Sequence, residues 1–575
     1  MTASQKVPSR SFAPVTFMSR RKLLAGTGAS LGAAGLAALI ARIPGAAQEQ
    51  TGTSPATPNV LSGTPVPPEV SKYAGDWPVA QGNLAGTRAA ANATINASNI
   101  DSLTTAWTVP ITVSGNFSGI TANAVILDGT VYLQDMASNV FALDRETGKE
   151  LWHTDFNVPS NGPNGVAVAY DRVYAATGDT SVVFCLDAKS GELIWENDVS
   201  NNDFECIDMA PLVYDNIVYI STNPNNVSHG NYRGGARGIL FALDAASGVT
   251  LWQFDTATDN LWGNPRTNSG AGLWYPPSVD DKGNLYFGTG NPGPYPGNEE
   301  YPNGTSRPGP NDYADSIVSL DPATGAVRWH VNANPHDLMD HDFQHTPVLA
   351  TVKLNDTDTL IAVGAGKTGT VIAAAADSGA LLWETEVGKH ENDKLQELPP
   401  GTTRIYPGGL GGVESPIAFG DGKIFVPYID FPMYLTPTNS DSTAGGNIDE
   451  ATGGFAAIDA ATGQIVWDNK VDAIVVAGAT VVNDVVLSGS LDGYLRAYDL
   501  KTGDTVWEFQ ASAGLNAPPA VAGDLIVFAA GAPIFSKPGV SAEATPGGPA
   551  GVQPATPPSA EQELKPQIYA LKLGS

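Results

Sequence analysis

Residues 140–152 read VFALDRETGKELW, and the same pattern returns along the chain. Each copy has alternating apolar residues, a turn of the Asp-x-x-Thr/Ser-Gly kind, and a second short segment that ends in tryptophan. The alternation predicts a β-strand, the aspartate caps the turn, and the glycine supplies a positive φ. In the fifth copy Ala375 replaces the turn aspartate. The seven copies end at Trp152, Trp195, Trp252, Trp329, Trp383, Trp467 and Trp507.

Two segments near the chain ends look like the halves of an eighth copy. Ile568-Tyr569-Ala570-Leu571 resembles the first strand of a copy, and Leu103-Thr104-Thr105-Ala106-Trp107 resembles its tryptophan strand. Pairing the two would close a ring and remove the exposed sheet edges of an open array. The sequence therefore predicts an all-β fold, an eight-bladed β-propeller of four-stranded antiparallel blades, over residues 73–575.

Composition agrees with this fold and excludes some functions. The chain has 63 Gly and 43 Pro and is only 15% charged, which suits many short strands joined by tight turns. Its formal net charge of -29 repels nucleic acid and anionic membranes and favours a basic protein partner. Two cysteines, Cys185 and Cys206, exclude a cysteine metal cluster and a C-x-x-C-H haem site. They form either one disulfide or two buried thiols.

The N-terminal region predicts export. Ser19-Arg20-Arg21-Lys22 precedes an Ala/Gly-rich apolar stretch that is closed by Gly45-Ala46-Ala47, a pattern typical of a twin-arginine signal peptide over residues 1–47. The alternative is a membrane anchor with basic flanking residues. Residues 48–72 are rich in Thr and Pro and are predicted to be a disordered spacer, and residues 541–564 a flexible insertion in the last blade. The protein is expected to be periplasmic, extracellular or on the cell surface.

Acidic side chains follow the fourth copy and form the most specific candidate site. If the segment is extended, Asp340 and Asp342 point to the same side, where two carboxylates favour a cation. Asn291, after a Gly-Thr-Gly run, offers a neutral oxygen. Such donors suit Ca²⁺ or a lanthanide. The alternative from the residues alone is that these aspartates cap turns or bridge blades.

Three motifs resemble the quinoprotein alcohol dehydrogenases, the family of methanol dehydrogenase. They are residues 288–294 (GTGNPGP), 336–342 (HDLMDHD) and 489–494 (GSLDGY), and the resemblance runs from Asp76 to the last strand. The resemblance implies a pocket for pyrroloquinoline quinone (PQQ) on the ring axis. It also implies that an alcohol or sugar hydroxyl is oxidised to a carbonyl.

Site roles follow from the same resemblance, residue by residue. Asp340 matches the general base, and Asn291, Asp340 and Asp342 match metal ligands, Asp342 being the extra carboxylate of lanthanide-dependent members. Trp274 matches the tryptophan that stacks beneath the quinone. Lys367 matches the cation that bonds the quinone oxygens, although a turn lysine in a glycine-rich loop is the alternative.

Two departures from the family pattern leave two functions open. Arg233 stands where the family has a glutamate metal ligand, and the vicinal cysteine pair that covers the quinone is missing. The sequence is compatible with an exported PQQ-dependent dehydrogenase that passes electrons to a separate acceptor, such as a basic cytochrome. It is also compatible with a non-catalytic propeller that serves as an extracytoplasmic binding or assembly module.

Overall fold

The structure is a computed structural model that describes residues 57–112, 119–225, 233–440, 450–533 and 565–574. The predicted signal peptide and the predicted insertion at 541–564 lie outside these residues. Helical elements are short: α1 (Pro68–Lys72), α2 (Thr258–Trp262) and the 3₁₀ helices Ile100–Ser102 and Pro302–Gly304. In the described part of the chain, no helix is long and apolar enough to cross a membrane.

Most strands form eight antiparallel blades that follow one another along the chain, and the other described strands form two smaller sheets. The first strand, β1 (Leu103–Pro110), belongs to the last blade. Blade 1 contains β2 (Val125–Leu127), β3 (Thr130–Gln134), β4 (Val140–Asp144) and β5 (Glu150–Thr154). Blade 2 contains β6 (Ala167–Ala169), β7 (Arg172–Ala176), β8 (Val182–Asp187) and β9 (Leu193–Asp198). After β10 (Glu205–Cys206), blade 3 contains β11 (Leu212–Tyr214), β12 (Ile217–Ser221), β14 (Ile239–Asp244) and β15 (Thr250–Asp255). Strand β13 (Asn223–Pro224) pairs with β10.

The remaining blades repeat this order. Blade 4 contains β16 (Ser278–Val279), β17 (Leu285–Gly288), β18 (Ser316–Leu320) and β19 (Val327–Asn332). Blade 5 contains β20 (Val348–Leu354), β21 (Thr357–Ala365), β22 (Thr370–Ala375) and β23 (Leu381–Glu386). Strands β24 (Thr403–Ile405), β27 (Met433–Thr436) and β28 (Asn439–Ser440) form a small sheet beside blade 6, which contains β25 (Ala418–Gly420), β26 (Lys423–Asp430), β29 (Thr452–Asp459) and β30 (Ile465–Val471). Blade 7 contains β31 (Val475–Val482), β32 (Val485–Ser490), β33 (Tyr494–Asp499) and β34 (Thr505–Gln510).

Blade 8 is shared between the two ends of the repeat region. It contains β35 (Gly514–Leu515), β36 (Ala520–Ala522), β37 (Leu525–Ala532), β38 (Gln567–Leu573) and β1. Strand β1 pairs antiparallel with β38, so that Leu103 lies opposite Leu573 and Pro110 opposite Gln567. The predicted eight-bladed propeller is therefore confirmed, including the eighth blade assembled from both ends.

The motif tryptophans join each blade to the next. Seven of them donate an indole N–H to the backbone carbonyl that follows the turn-aspartate position of the next blade, at 2.9 to 3.2 Å. The pairs are Trp107 with Arg145, Trp152 with Ala188, Trp195 with Ala245, Trp252 with Pro322, Trp329 with Ala376, Trp383 with Ala460 and Trp467 with Leu500. The turn glycine also lies against the indole. A Cβ added to Gly463 would be 2.8 Å from the Trp383 ring, so this glycine serves close packing as well as its positive φ.

Trp383→Phe is expected to lower the free energy of unfolding by about 2 kcal/mol, because a buried carbonyl loses its donor and the ring becomes smaller. The measurement is urea unfolding followed by circular dichroism. Trp507→Phe is the matched control, since for Trp507 the described residues provide no carbonyl acceptor. Equal losses in the two variants would show that the indole hydrogen bond contributes nothing.

The chain that precedes β1 is part of the propeller structure. Between Leu84 and Arg88 it accepts backbone hydrogen bonds from the inner strands of four successive blades. The donors are Val279 of blade 4, Leu349 of blade 5, Phe419 of blade 6 and Val481 of blade 7. Trp77 and Arg88 are completely buried in this region. The segment therefore connects blades 4 to 7 through backbone hydrogen bonds.

The disordered spacer predicted at residues 48–72 is wrong for its described part, residues 57–72. The backbone N–H groups of Leu61 and Ser62 donate to the side chain of Asn216, at 2.8 and 2.9 Å. Helix α1 buries Val70. Composition did not indicate that this segment is ordered. The backbone N–H groups of the segment are hydrogen bonded to a side chain of blade 3 that is far away in the sequence.

Candidate active site

The candidate site lies where loops from neighbouring blades meet at one end of the ring. Trp274 precedes β16, and Asn291 follows β17. Asp340 and Asp342 precede β20, and Lys367 lies in the turn from β21 to β22. In an antiparallel blade, the start of the first strand and the turn after the second strand share one end. The topology therefore brings together residues that are far apart in sequence.

Lys367 lies between the two predicted aspartates. Its Nζ is 3.1 Å from Asp340 Oδ2 and 2.6 Å from Asp342 Oδ2. The side chains of Lys367, Asp340 and Asp342 are only 13%, 14% and 2% exposed. A buried charge is tolerated only when it is paired and hydrogen bonded, so these three groups depend on one another.

Two further groups hold Asp342 through its other oxygen. Oδ1 accepts a hydrogen bond from the indole Nε1 of Trp274 at 3.3 Å and from the backbone N–H of Asn291 at 2.7 Å. The side-chain amide of Asn291 donates to the carbonyl of Pro292 at 3.4 Å. All five site residues predicted from the sequence therefore lie in one connected cluster.

The extended conformation assumed for this segment is wrong. Asp340 has a φ of +62°, in the left-handed region. The cause is Asp337, whose carboxylate accepts hydrogen bonds from the backbone N–H groups of Met339 and His341, at 2.8 and 2.9 Å. These bonds wrap the chain into a turn. The carboxylates of Asp340 and Asp342 converge because of this turn and of Lys367, and not because of strand alternation.

Burial controls the protonation of the cluster. It raises the pKa of Asp340 to about 8, against the opposing attraction of Lys367. Burial alone would lower the pKa of Lys367, but the charges of Asp340 and Asp342 outweigh it and raise that pKa well above its usual range. Lys367 is therefore a permanent cation at neutral pH, and Asp340 is a base that titrates near neutrality.

Glu414 is a third acidic group beside the cluster that sequence reasoning missed. Burial raises its pKa to about 7, and the charge of Lys367 opposes the shift. Its Oε2 accepts a weak hydrogen bond from Gln344 Nε2 at 3.4 Å, and its Oε1 is buried without a partner. The available signal was a charged residue in the otherwise apolar and glycine-rich stretch that leads into β25.

The loop formed by residues 158–164 lies beside Trp274. A Cβ added to Gly162 would be 2.8 Å from the Trp274 ring and 2.6 Å from Asp208 Cβ. The backbone N–H groups of Asn161 and Gly162 donate to Asp208 Oδ1, at 2.9 and 3.1 Å. This loop, rather than a cysteine pair, is thus the part of the chain that adjoins the indole, and it requires glycine at position 162.

Both cysteines are free thiols, so of the two alternatives the disulfide is absent. Cys185 and Cys206 are buried, and Cys206 Sγ donates to Asp208 Oδ2 at 2.9 Å. Arg233, which the resemblance places at the position of the family's metal-binding glutamate, is exposed, and its guanidinium lies 5.0 Å from the centre of the Phe204 ring. No carboxylate ligand is supplied at this position.

The cluster fits a planar group that carries oxygen atoms. Trp274 is partly exposed and bonds to the same carboxylate, Asp342, as Lys367, whose ammonium has three N–H donors, two of which face the carboxylates. Trp274 and Lys367 would therefore hold PQQ. As placed, Asn291, Asp340 and Asp342 do not fit a metal ion, because the ammonium occupies the space between the two carboxylates. Among the described residues, no group of three or more His, Cys, Asp or Glu side chains is arranged to hold one.

Comparisons with known proteins agree with the fold. The quinoprotein ethanol dehydrogenase of Pseudomonas aeruginosa is 26% identical, over 74% of this chain and 80% of that protein. The putative dehydrogenase XoxF of Paracoccus denitrificans is 26% identical, over 77% of this chain and 84% of that protein. A europium-containing methanol dehydrogenase structure is 21% identical with a TM-score of 0.71, covering 88% of this chain and 99% of that chain. At this identity the structural similarity shows the fold alone.

Two family models match different parts of the chain. The model for the outer membrane protein assembly factor BamB matches residues 451–542. The model for the glucose/ethanol/alcohol dehydrogenase β-propeller domain matches residues 77–400, more than half of the 575 residues. By this match, which includes every residue of the cluster, the chain belongs to the glucose/ethanol/alcohol dehydrogenase β-propeller family.

Proposed function

We propose that this protein is a PQQ-dependent dehydrogenase that oxidises an alcohol or sugar hydroxyl to a carbonyl. The observation that carries the proposal is Asp340, a buried carboxylate with a pKa of about 8 that is bonded to Lys367, which Asp342 connects to Trp274. A general base works best when its pKa lies near the working pH. The curated quinoprotein alcohol dehydrogenases among the relatives support the same reaction class.

Each side chain of the cluster has a separate task in this proposal. Asp340 takes the proton of the substrate hydroxyl, and Lys367 stabilises the ionised form of Asp340 while donating a hydrogen bond to a quinone oxygen. Trp274 provides a flat apolar surface for an aromatic ring. PQQ, when bound, supplies the acceptor for the hydride that leaves the alcohol carbon. Asp342 fixes the ammonium and the indole relative to each other.

The proposed place of action is outside the cytoplasm. It is supported by the twin-arginine pattern within residues 1–47. In this proposal the electrons pass to a separate acceptor, in keeping with a sequence whose two cysteines, Cys185 and Cys206, form no C-x-x-C-H motif. The formal charge of -29 favours a basic cytochrome as this acceptor.

Direct titration of the purified mature protein with PQQ tests the proposal. We expect binding, followed by quenching of tryptophan fluorescence and by the cofactor spectrum, together with dye reduction when simple alcohols are added. Trp274→Ala is expected to weaken PQQ binding by about tenfold or more, because ring stacking contributes about 1 kcal/mol or more. Trp262→Ala, which removes a partly buried tryptophan outside the cluster, is the matched control. Absence of PQQ binding with Ca²⁺, with La³⁺ and without metal would refute the proposal.

One observation favours a second function, a non-catalytic module for binding or assembly. The match of the assembly-factor model to residues 451–542 covers the end of blade 6, blade 7 and the beginning of blade 8. The cluster residues lie outside this range. Failure to bind PQQ under every metal condition, in a correctly folded protein, would support this second function.

A further inference from the structure

We propose that the ammonium of Lys367 is the resident cation of this site and takes the place of a metal ion, so that the quinone is held without a divalent or trivalent metal. The part concerning the quinone rests on the proposed function. The part concerning the cation does not, because it concerns only side chains of this chain.

The first argument is the space between the carboxylates. Lys367 Nζ lies within 3.1 Å of Asp340 Oδ2 and 2.6 Å of Asp342 Oδ2. A calcium ion needs carboxylate oxygens at about 2.3–2.6 Å, so it would have to occupy the volume that the ammonium fills. Two cations in contact at a buried site would repel each other strongly.

The second argument is that both carboxylate oxygens of Asp342 already have partners within the chain. Its Oδ2 pairs with Lys367, and its Oδ1 accepts hydrogen bonds from Trp274 and from the backbone of Asn291. A rotation of this carboxylate towards a metal would break these bonds in a side chain that is only 2% exposed. The cost of each buried donor left unpaired is about 1–3 kcal/mol in proteins, and three donors bond to this carboxylate.

The third argument is the missing metal ligand. Arg233, which the resemblance places at the family's glutamate position, is exposed and its guanidinium lies over Phe204. A chain that keeps a metal has no physical reason to replace a ligand carboxylate by a cation, whereas a chain that supplies its own ammonium has no need of the ligand. The replacement and the placement of Lys367 are therefore consistent with each other.

Binding of Tb³⁺ to the protein without PQQ tests the role of the ammonium. Emission from Tb³⁺ is sensitised by nearby tryptophan, and Trp274 contacts Asp342. In the wild type we expect no saturable Tb³⁺ site whose binding depends on Asp342. Lys367→Met is expected to create one that binds Tb³⁺ at least about tenfold more tightly than the wild-type protein does, because two carboxylates are left without their cation. Adding Asp342→Asn to this variant should abolish the site.

Lys423→Met is the control for loss of a lysine charge, since Lys423 pairs with a single carboxylate, Asp421, away from the cluster. Tb³⁺ binding by the wild type that Asp342→Asn removes would overturn the proposal. So would a folded Lys367→Met variant that gains no Tb³⁺ site.

A second measurement needs no variant. PQQ affinity is compared in EDTA, in Ca²⁺ and in La³⁺, and the three values are expected to agree within about twofold. Binding only in the presence of a metal would overturn the inference while leaving the dehydrogenase proposal intact. If PQQ fails to bind under all three conditions, the proposed function fails, and the Tb³⁺ titration still decides the role of the ammonium.

Discussion

Asp340→Asn is expected to leave PQQ bound and to reduce the rate of substrate oxidation by about 1,000-fold. The two side chains have the same shape, but an amide cannot take a proton from the substrate hydroxyl, and general base catalysis contributes about 10²–10⁴-fold. The measurement is single-turnover reduction of the protein-bound cofactor by an alcohol, followed spectroscopically. PQQ affinity, measured in the same samples, is the control. Turnover at the wild-type rate would refute the role of Asp340 as base.

Asp340→Asn also tests how ionisation of Asp340 contributes to the pH dependence of the free energy of unfolding. The pKa of Asp340 in the folded protein is about 8, above its usual value of 3.8, because burial disfavours the charged form. Between these two values the folded state keeps a proton that the unfolded state has lost. This group therefore makes the wild type less stable as pH rises from about 4 to about 8. Asp340→Asn removes this dependence, so the stability of the variant relative to the wild type is expected to increase with pH over that window.

Arg88→Met is expected to lower the free energy of unfolding by at least about 3 kcal/mol. Arg88 is completely buried, and its five N–H donors bond to five neutral oxygen acceptors. The acceptors are the carbonyls of Ala479 and Pro519 and the side chains of Gln81, Asn123 and Thr480. Removing the buried charge recovers desolvation energy, since burial lowers the pKa of Arg88 to about 9. The loss of five hydrogen bonds at buried acceptors outweighs this gain, although the Pro519 carbonyl still accepts a hydrogen bond from the Thr480 hydroxyl at 2.8 Å.

Urea unfolding midpoints of three variants check the result for Arg88. Arg88→Lys keeps the charge but has only three donors, so it is expected to be at least as destabilising as Arg88→Met. Arg328→Met removes an exposed arginine whose guanidinium bonds to Tyr286 and Ser319, and its effect is expected to be much smaller. A midpoint for Arg88→Met equal to that of the wild type would show that the hydrogen-bonded arginine does not stabilise the ring.

The fold was predictable because the sequence features that specify it are local and are repeated in each blade. Each copy, such as residues 455–467, contains its own strand alternation, turn and tryptophan, and the structure places Trp467 against the turn of the next blade. The closure was predictable for the same reason, since residues around Trp107 and Tyr569 are two halves of one copy. Periodicity reports secondary structure and blade order well.

The interior of the site was less predictable because it depends on contacts between loops. The proximity of Lys367 to Asp342 follows from the resemblance, but the ammonium between two carboxylates follows only from the structure. Glu414 and Arg88 carry no motif, and their importance arises from burial, which the local sequence does not reveal. The turn at Asp340 was missed since it depends on how Asp337 bonds to the backbone.

The pairing of β1 with β38 also has a kinetic consequence. Leu103 finds its partner, Leu573, only after all the blades between them have been synthesised, so the ring closes late in the synthesis of the propeller. Until then β1 and β37 present open edges that other chains can pair with, and such edges promote aggregation. A nascent propeller of this design therefore needs protection from self-association until its last strand is made, and completion of the final strand is the step that ends this exposure.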